Sequence, residues 1–437
     1  MRTDRQSATD SVRFSSFIIS PVRPSAVTTP ATAKDPSAPG PNDPPPRPVI
    51  KRQGMNRTSV YAIVGIVLVV ILLIGAAFAL GWFRGPSKTG AGTCPANQQV
   101  SGTGASLVTS VLTTWANAYE KSSGNTIQYT ASGAGAGVTA LTGLTTDFAA
   151  TDEPLNSSET AALPSPALTF PFVGGSVAVI FNVPGVSTPI NLSGAVLADI
   201  YLGSIASWND PAIAALNPGI NLPSNGIATV HRLDSAGTTY VLTDYLAHAS
   251  PTFQSQVGIG LQVAWPNPTT PAKAISGNSK LAAYVGTTKY SIGYVDLADA
   301  HSASGVTIAA LQNPAGRYIV PTAADTESAI ATIAKNTTFP TSASSWGSVD
   351  FTNAAGPADY PLAALAYGFV YKAMDKGYQP TLQKSQAIRQ WFTYMITTGQ
   401  SSAAALYYAP LPGSVVAVDQ AGLQTLTYGG NPLPACT

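Results

Sequence analysis

His231-Arg232-Leu233-Asp234-Ser235-Ala236-Gly237-Thr238-Thr239 pairs an arginine with a carboxylate two residues on and then opens a helix with small residues. Arg232 offers a planar fork of donors, and Asp234 can hold that fork in place. The backbone amides of Ala236, Gly237 and Thr238 can point at an anion from the helix start. Flanked by an apolar strand at Ile227–Val230 and a helix at Thr238–Ala247, the run predicts an oxyanion loop at a strand-to-helix junction.

Two more such loops lie upstream. Gly102-Thr103-Gly104-Ala105-Ser106 ends in a residue suited to cap a helix over Leu107–Glu120, and its glycines let amides approach a ligand. Leu107 stands where a dinucleotide fingerprint needs its third glycine, so that reading is excluded. Ser132-Gly133-Ala134-Gly135-Ala136-Gly137 follows a strand at Asn125–Thr130 and precedes a short helix at Val138–Leu144. It reads either as an anion cradle or as a flexible small-residue patch.

Asp152 stands at the exit of the apolar run Phe148–Thr151. A carboxylate beside an anion site makes sense once protonation is counted. Phosphate near neutral pH keeps at least one proton that Asp152 can accept, whereas sulfate has none to give. Asp152 would therefore admit the first and repel the second.

Elsewhere β-rich runs alternate with helical patterns, as in α/β proteins with parallel sheets. Val177–Asn182 reads as a buried strand, Leu192–Leu202 as a helix, Lys289–Val295 as a strand and Ser385–Thr397 as a long helix; Thr322–Ala358 reads as a polar linker. The three histidines show no metal-ligand spacing, no nucleophile elbow appears, and so neither an enzyme nor a metal centre is expected.

Composition places the binding region outside the cytoplasm. Residues 1–57, with ten prolines between Pro21 and Pro48, read as a disordered cytoplasmic segment, of which residues 1–54 could precede the true start at Met55. The uncharged stretch Thr58–Phe83 is long enough for one transmembrane helix, and Arg47, Lys51, Arg52 and Arg57 before it place the N-terminus inside. A cleaved signal peptide is the competing reading, since Ala77-Phe78-Ala79 has a small-x-small form. Residues 84–93 form a linker. From Cys94 onward 11 Lys and Arg face 17 Asp and Glu, a net of −6 that argues against a nucleic-acid partner. The only two cysteines, Cys94 and Cys436, bracket this region and are expected to pair in an oxidising compartment.

Taken together, Gly102–Ser106, Asp147–Leu155, Ile200–Ile205, Trp208–Ile213, Arg232–Thr238, Ser291–Val295, Gly399-Gln400 and Tyr408–Pro412 resemble the phosphate-binding proteins of high-affinity phosphate ABC importers. The resemblance implies a two-lobed, type II periplasmic-binding-protein α/β fold, with residues 94–172 plus 321–437 as lobe 1 and 173–320 as lobe 2. It implies capture of inorganic phosphate in the cleft, without a cofactor, and delivery to the permease subunits of a phosphate ABC transporter. The residues it assigns to phosphate are Ser106, Leu107, Ala134, Asp152, Arg232, Ala236, Gly237 and Thr238, with Asp234 orienting Arg232. Ala134 and Ala236 replace serines usual in the family, which keep their amides and lose two hydroxyls; Ser132 and Ser235 are the nearby candidates to replace them. Those losses leave open a receptor or sensor for another oxyanion such as arsenate.

Overall fold

The computed structural model describes residues 94–266 and 272–435. The expected N-terminal segment, membrane anchor and linker lie outside the described residues, and no described helix is long and apolar enough to cross a membrane. In chain order the first elements are β1 (Gln99–Gly104), α1 (Thr109–Ser123), β2 (Thr126–Ala131), α2 (Ala134–Thr142), β3 (Phe148–Thr151), α3 (Ser157–Ala162) and β4 (Ala167–Asn182). There follow β5 (Asn191–Leu192), α4 (Gly194–Leu202), α5 (Pro211–Leu216), β6 (Ala228–Arg232), α6 (Gly237–Ala249), α7 (Pro251–Gln256), β7 (Lys273–Ile275), α8 (Asn278–Thr287), β8 (Ser291–Asp296), α9 (Leu297–Ser302) and β9 (Thr307–Ile308). Beyond two short strands, β10 (Ala310–Gln312) and β11 (Tyr318–Ile319), the chain forms α10 (Ala323–Asn336), β12 (Ala363–Tyr371), α11 (Leu382–Ile396) and α12 (Gly413–Leu423).

The main sheet runs β2-β1-β3-β12-β4-β8-β6-β7, with β9 added on β4. Two parallel groups form its ends: β1 lies between β2 and β3, and β6 between β7 and β8. Antiparallel pairs β3–β12, β12–β4 and β4–β8 join them. The expectation of parallel sheets therefore holds for each end of this two-lobed α/β fold and fails in its middle, where β4 and β12 run in opposite directions.

β4 is the joining strand. Ala167–Ser176 pairs with β12 and Val177–Asn182 with β8, so the expected strand Val177–Asn182 is only the second part of a 16-residue strand. Pro171 and Gly174-Gly175 hide the first part in the sequence, being residues that weaken an ordinary strand. Here Pro171 adjoins the register shift of the β4–β12 ladder. A methyl group on Gly174 would lie 2.3 Å from Ile330 Cδ1, and one on Gly175 2.6 Å from Leu107 Cδ2, so both glycines admit a neighbouring side chain.

The segment expected as a linker begins with a 14-residue helix, α10, whose N-cap Thr322 accepts a hydrogen bond from the Asp325 amide. Only Thr326, Ala329 and Ile330 of it are buried, too narrow an apolar stripe to stand out in the sequence. Cys94 is half-buried, and its expected partner Cys436 lies outside the described residues.

The Gly399-Gln400 pair has a structural use. Gln400 Nε2 donates to the carbonyls of Phe172 (2.7 Å) and Met395 (2.6 Å), and its Oε1 accepts from the Leu411 amide (2.7 Å), tying the C-terminal segment to β4. Gln400→Ala leaves these three backbone groups without that partner and should cost about 2–4 kcal/mol, since each such loss is worth roughly 1 kcal/mol or more. Urea denaturation, read as a lower midpoint at unchanged slope, checks this.

Candidate anion-binding site

Three strand ends and the helices after them converge. β1 closes at Gly104, φ +141°, where any side chain would strike the Ala150 carbonyl. Residues 106–108 then form a turn, and α1 starts at Thr109 with Val108 as its N-cap and no side-chain cap. Ser106 is therefore not the cap that the sequence suggests. Its carbonyl takes the Thr109 amide and hydroxyl, and its own hydroxyl has no partner among the described residues. Leu107 is anchored by its carbonyl, which accepts from Tyr408 Oη at 2.6 Å.

α2 begins at Ala134, four residues before the expected start. Its close approach to β1 needs Gly137, whose added methyl would lie 2.6 Å from Gly104 Cα. The amides of Ala134, Gly135 and Ala136 occupy a first turn, where no helical carbonyl can serve them. The low-complexity reading of this loop thus gives way to a helix start.

The arginine is buried and largely committed. Arg232, 3% exposed, donates from Nε to Asp234 Oδ1 (2.8 Å) and from Nη2 to Asp234 Oδ2 (2.5 Å). Its Nη1 donates to Thr238 Oγ1 (3.0 Å) and Asn278 Oδ1 (2.6 Å). Of five N–H donors one, on Nη2, remains for a ligand. Asp234 carries out the expected orienting role, and Arg232 with the Gly277 amide holds its carboxyl below the usual range against the effect of burial.

Asp152 is 4% exposed, and its Oδ1 has no hydrogen-bond partner among the described residues. Burial pushes its carboxyl up to about 7, and the Arg232 charge nearby only partly offsets that. Asp152 also meets the start of α6: a methyl group on Gly237 would lie 2.2 Å from Asp152 Oδ2. The loops of α2 and α6 touch as well, since a methyl on Gly133 would lie 2.8 Å from the Ser235 carbonyl.

The predicted residues are thus gathered, with two changes in what they can offer. The Ala236 amide donates to the Leu261 carbonyl at 2.9 Å and does not face an anion. The Thr238 hydroxyl lies between Arg232 and Asn278, leaving its amide, with that of Gly237, as the donors of α6. Beside Asp152 lies a cavity of about 180 Å³ lined by Tyr240, Asp244, Asp350 and Thr352 among others. Asp244 and His248, four residues apart on α6, and Asp350 bring potential metal donors within 4.8 Å of one another, a grouping to which sequence spacing contributes only the Asp244–His248 pair.

A model of the PBP superfamily domain matches residues 89–398. The phosphate-binding protein PstS of Pasteurella multocida is 37% identical over 334 residues, covering 75% of this chain and 90% of that one. The PstS of Xylella fastidiosa (strain 9a5c) is 35% identical, covering 76% and 88%. The chain belongs to the PstS family of phosphate-binding proteins. Among solved structures, a high affinity periplasmic phosphate-binding protein (PfluDING) bound with phosphate superimposes with TM-score 0.59 at 20% identity, covering 78% of this chain and 96% of that one. A DING protein gives 0.60 at 19% identity, covering 77% and 96%. Both support the shared fold.

Sequence reasoning missed the second layer of this family member's site. Asn278 links Arg232 to Asp296, donating from Nδ2 to Asp296 Oδ2 at 2.9 Å. Tyr294 accepts the Arg232 amide at 3.1 Å and meets Thr239 Oγ1 at 2.7 Å, while Tyr129 donates to the Ala105 carbonyl at 2.7 Å. The one available signal was Gly277-Asn278 at a helix start, too common to single out.

The raised carboxyl of Asp152 has a stability consequence. Its charged form opposes folding above about pH 7, and the cost falls as the folded state takes up its proton, vanishing below the ordinary value of 3.8. Asp152→Asn should therefore raise the melting temperature of the unliganded protein at pH 8. The gain should shrink from about pH 7 to pH 4; thermal scans across that range check it.

Proposed function

We propose that the cleft captures inorganic phosphate and that the chain is the extracytoplasmic receptor of a phosphate ABC importer, not an enzyme. The observation that carries this is Asp152, buried beside Arg232, whose Oδ1 is an acceptor with no partner among the described residues and whose Oδ2 meets the start of α6. A fully deprotonated tetrahedral anion would place oxygen against oxygen there. A protonated one completes the missing hydrogen bond. The other contacts are the remaining Arg232 N–H, the amides of Leu107, Ala134, Gly237 and Thr238, and the Ser106 hydroxyl. Asp234 holds the arginine.

In this reading residues 94–172 with 321–437 form one lobe and 173–320 the other, with the partners of β4 changing at Ser176–Val177. The uncharged stretch 58–83 anchors the receptor as a single-pass membrane protein, which keeps it near permease subunits in the same membrane. Relatives named phosphate-binding protein PstS at 35–37% identity support the assignment of ligand.

Calorimetric titration of the full-length protein tests it. At pH 8 phosphate should bind with micromolar or tighter affinity and sulfate not at all; tight sulfate binding, or none of either, overturns the proposal. Because Asp152 takes up a proton as pH falls through about 7, it becomes a donor that sulfate can use, so sulfate rejection should weaken toward pH 5. Asp152→Asn should show that weakened rejection already at pH 8.

A further inference from the structure

The starts of α2 and α6 meet directly, and one hydroxyl lies at their contact. A methyl group on Gly135 would lie 2.5 Å from Ser235 Oγ and 2.9 Å from Ser235 Cβ. Ser235, carried by the loop into α6, thus lies against the first turn of α2, whose amides have no helical acceptor. Its Oγ has no hydrogen-bond partner among the described residues.

The neighbouring hydroxyls are committed elsewhere. Ser132 Oγ meets Thr103 Oγ1 at 2.8 Å, Thr238 Oγ1 lies between Arg232 and Asn278, and Thr239 Oγ1 meets Tyr294 Oη. Ala134 and Ala236, at the two helix starts, bring none.

Resting on the phosphate reading above, we propose that Ser235 is the hydroxyl ligand supplied by the α6 side of the cleft, and that Gly135 is the vacancy that lets it reach the anion. The hydroxyl is then in place only when the α2 and α6 loops are in contact, which ties ligand retention to closure. Ser235 is a specificity-determining residue as well, since a rotatable hydroxyl donates to whichever phosphate oxygen lacks a proton.

Titration of the full-length protein with inorganic phosphate, together with stopped-flow release, decides this. Ser235→Ala should weaken binding about 10- to 100-fold, the worth of one hydrogen bond to a charged group, through faster release and with the unliganded melting temperature unchanged. Gly135→Ala should weaken binding in the parent, where its methyl strikes the hydroxyl, and add less than about threefold to Ser235→Gly, where nothing is struck. Equal affinity of Ser235→Ala and the parent, or equal cost of Gly135→Ala in both backgrounds, overturns the assignment of Ser235 alone. Failure of the parent itself to bind phosphate overturns the phosphate reading, and this one with it.

Discussion

Burial of Asp152 without a partner for one oxygen is the constraint around which the cleft is arranged. An unpaired carboxylate in a dry site is costly, and among the described residues Arg232 alone offsets it. Arg232, the charge acting on it, gives Nε and Nη2 to Asp234 and Nη1 to Thr238 and Asn278. Counting Asp234 and Asp152 against Arg232, the site is not a pool of positive charge. On the reading proposed above, attraction for an anion comes from oriented amides at the starts of α1, α2 and α6. Such donors act at short range and in fixed directions, so the site selects by hydrogen-bond pattern more than by charge.

Glycine makes that arrangement sterically possible. Gly133 and Gly135 at the start of α2 leave room for Ser235, while Gly237 at the start of α6 leaves room for Asp152. The α2 loop therefore accepts Ser235 from the α6 loop, and the start of α6 accepts Asp152 from the end of β3. The contact needs both loops, so the complete donor set does not belong to either end of the sheet. β4 and β12, buried along nearly all their length, hold those two ends in one hydrogen-bonded ladder.

What could be read from the sequence was what is local in it. Arg232 and Asp234 are two residues apart, and their pairing in the structure is the one the run predicts. Asp152 was legible because an acidic residue at the exit of the strand Phe148–Thr151 needs a reason. Asn278, Asp296 and Tyr294 were not, since Asn278 and Tyr294 reach Arg232 from distant elements and Asp296 acts through Asn278, by contacts that only the sheet order creates. The loops were legible as glycine-rich and illegible in detail. α2 begins inside the run that looked like a loop, because Gly135 and Gly137 serve packing there and not flexibility. The Ala236 amide is engaged within the protein for a reason no local pattern holds: it donates to a carbonyl 25 residues downstream, that of Leu261.

Alanine at positions 134 and 236 changes the character of the site. A hydroxyl rotates and can give or accept a hydrogen bond, so it adapts to a protonated or an unprotonated oxygen. A backbone N–H neither rotates nor accepts; it donates in one direction. Replacing hydroxyls by apolar methyls at both helix starts leaves a cleft whose donors are mostly fixed and whose acceptor, Asp152, is equally fixed. Such a cleft tolerates less variation in where the ligand carries its proton. Discrimination between oxyanions then rests on the protonation of two partners, the ligand and Asp152. With Asp152 poised at about 7, that discrimination is most sensitive to acidity near neutrality, where phosphate itself changes its proton count.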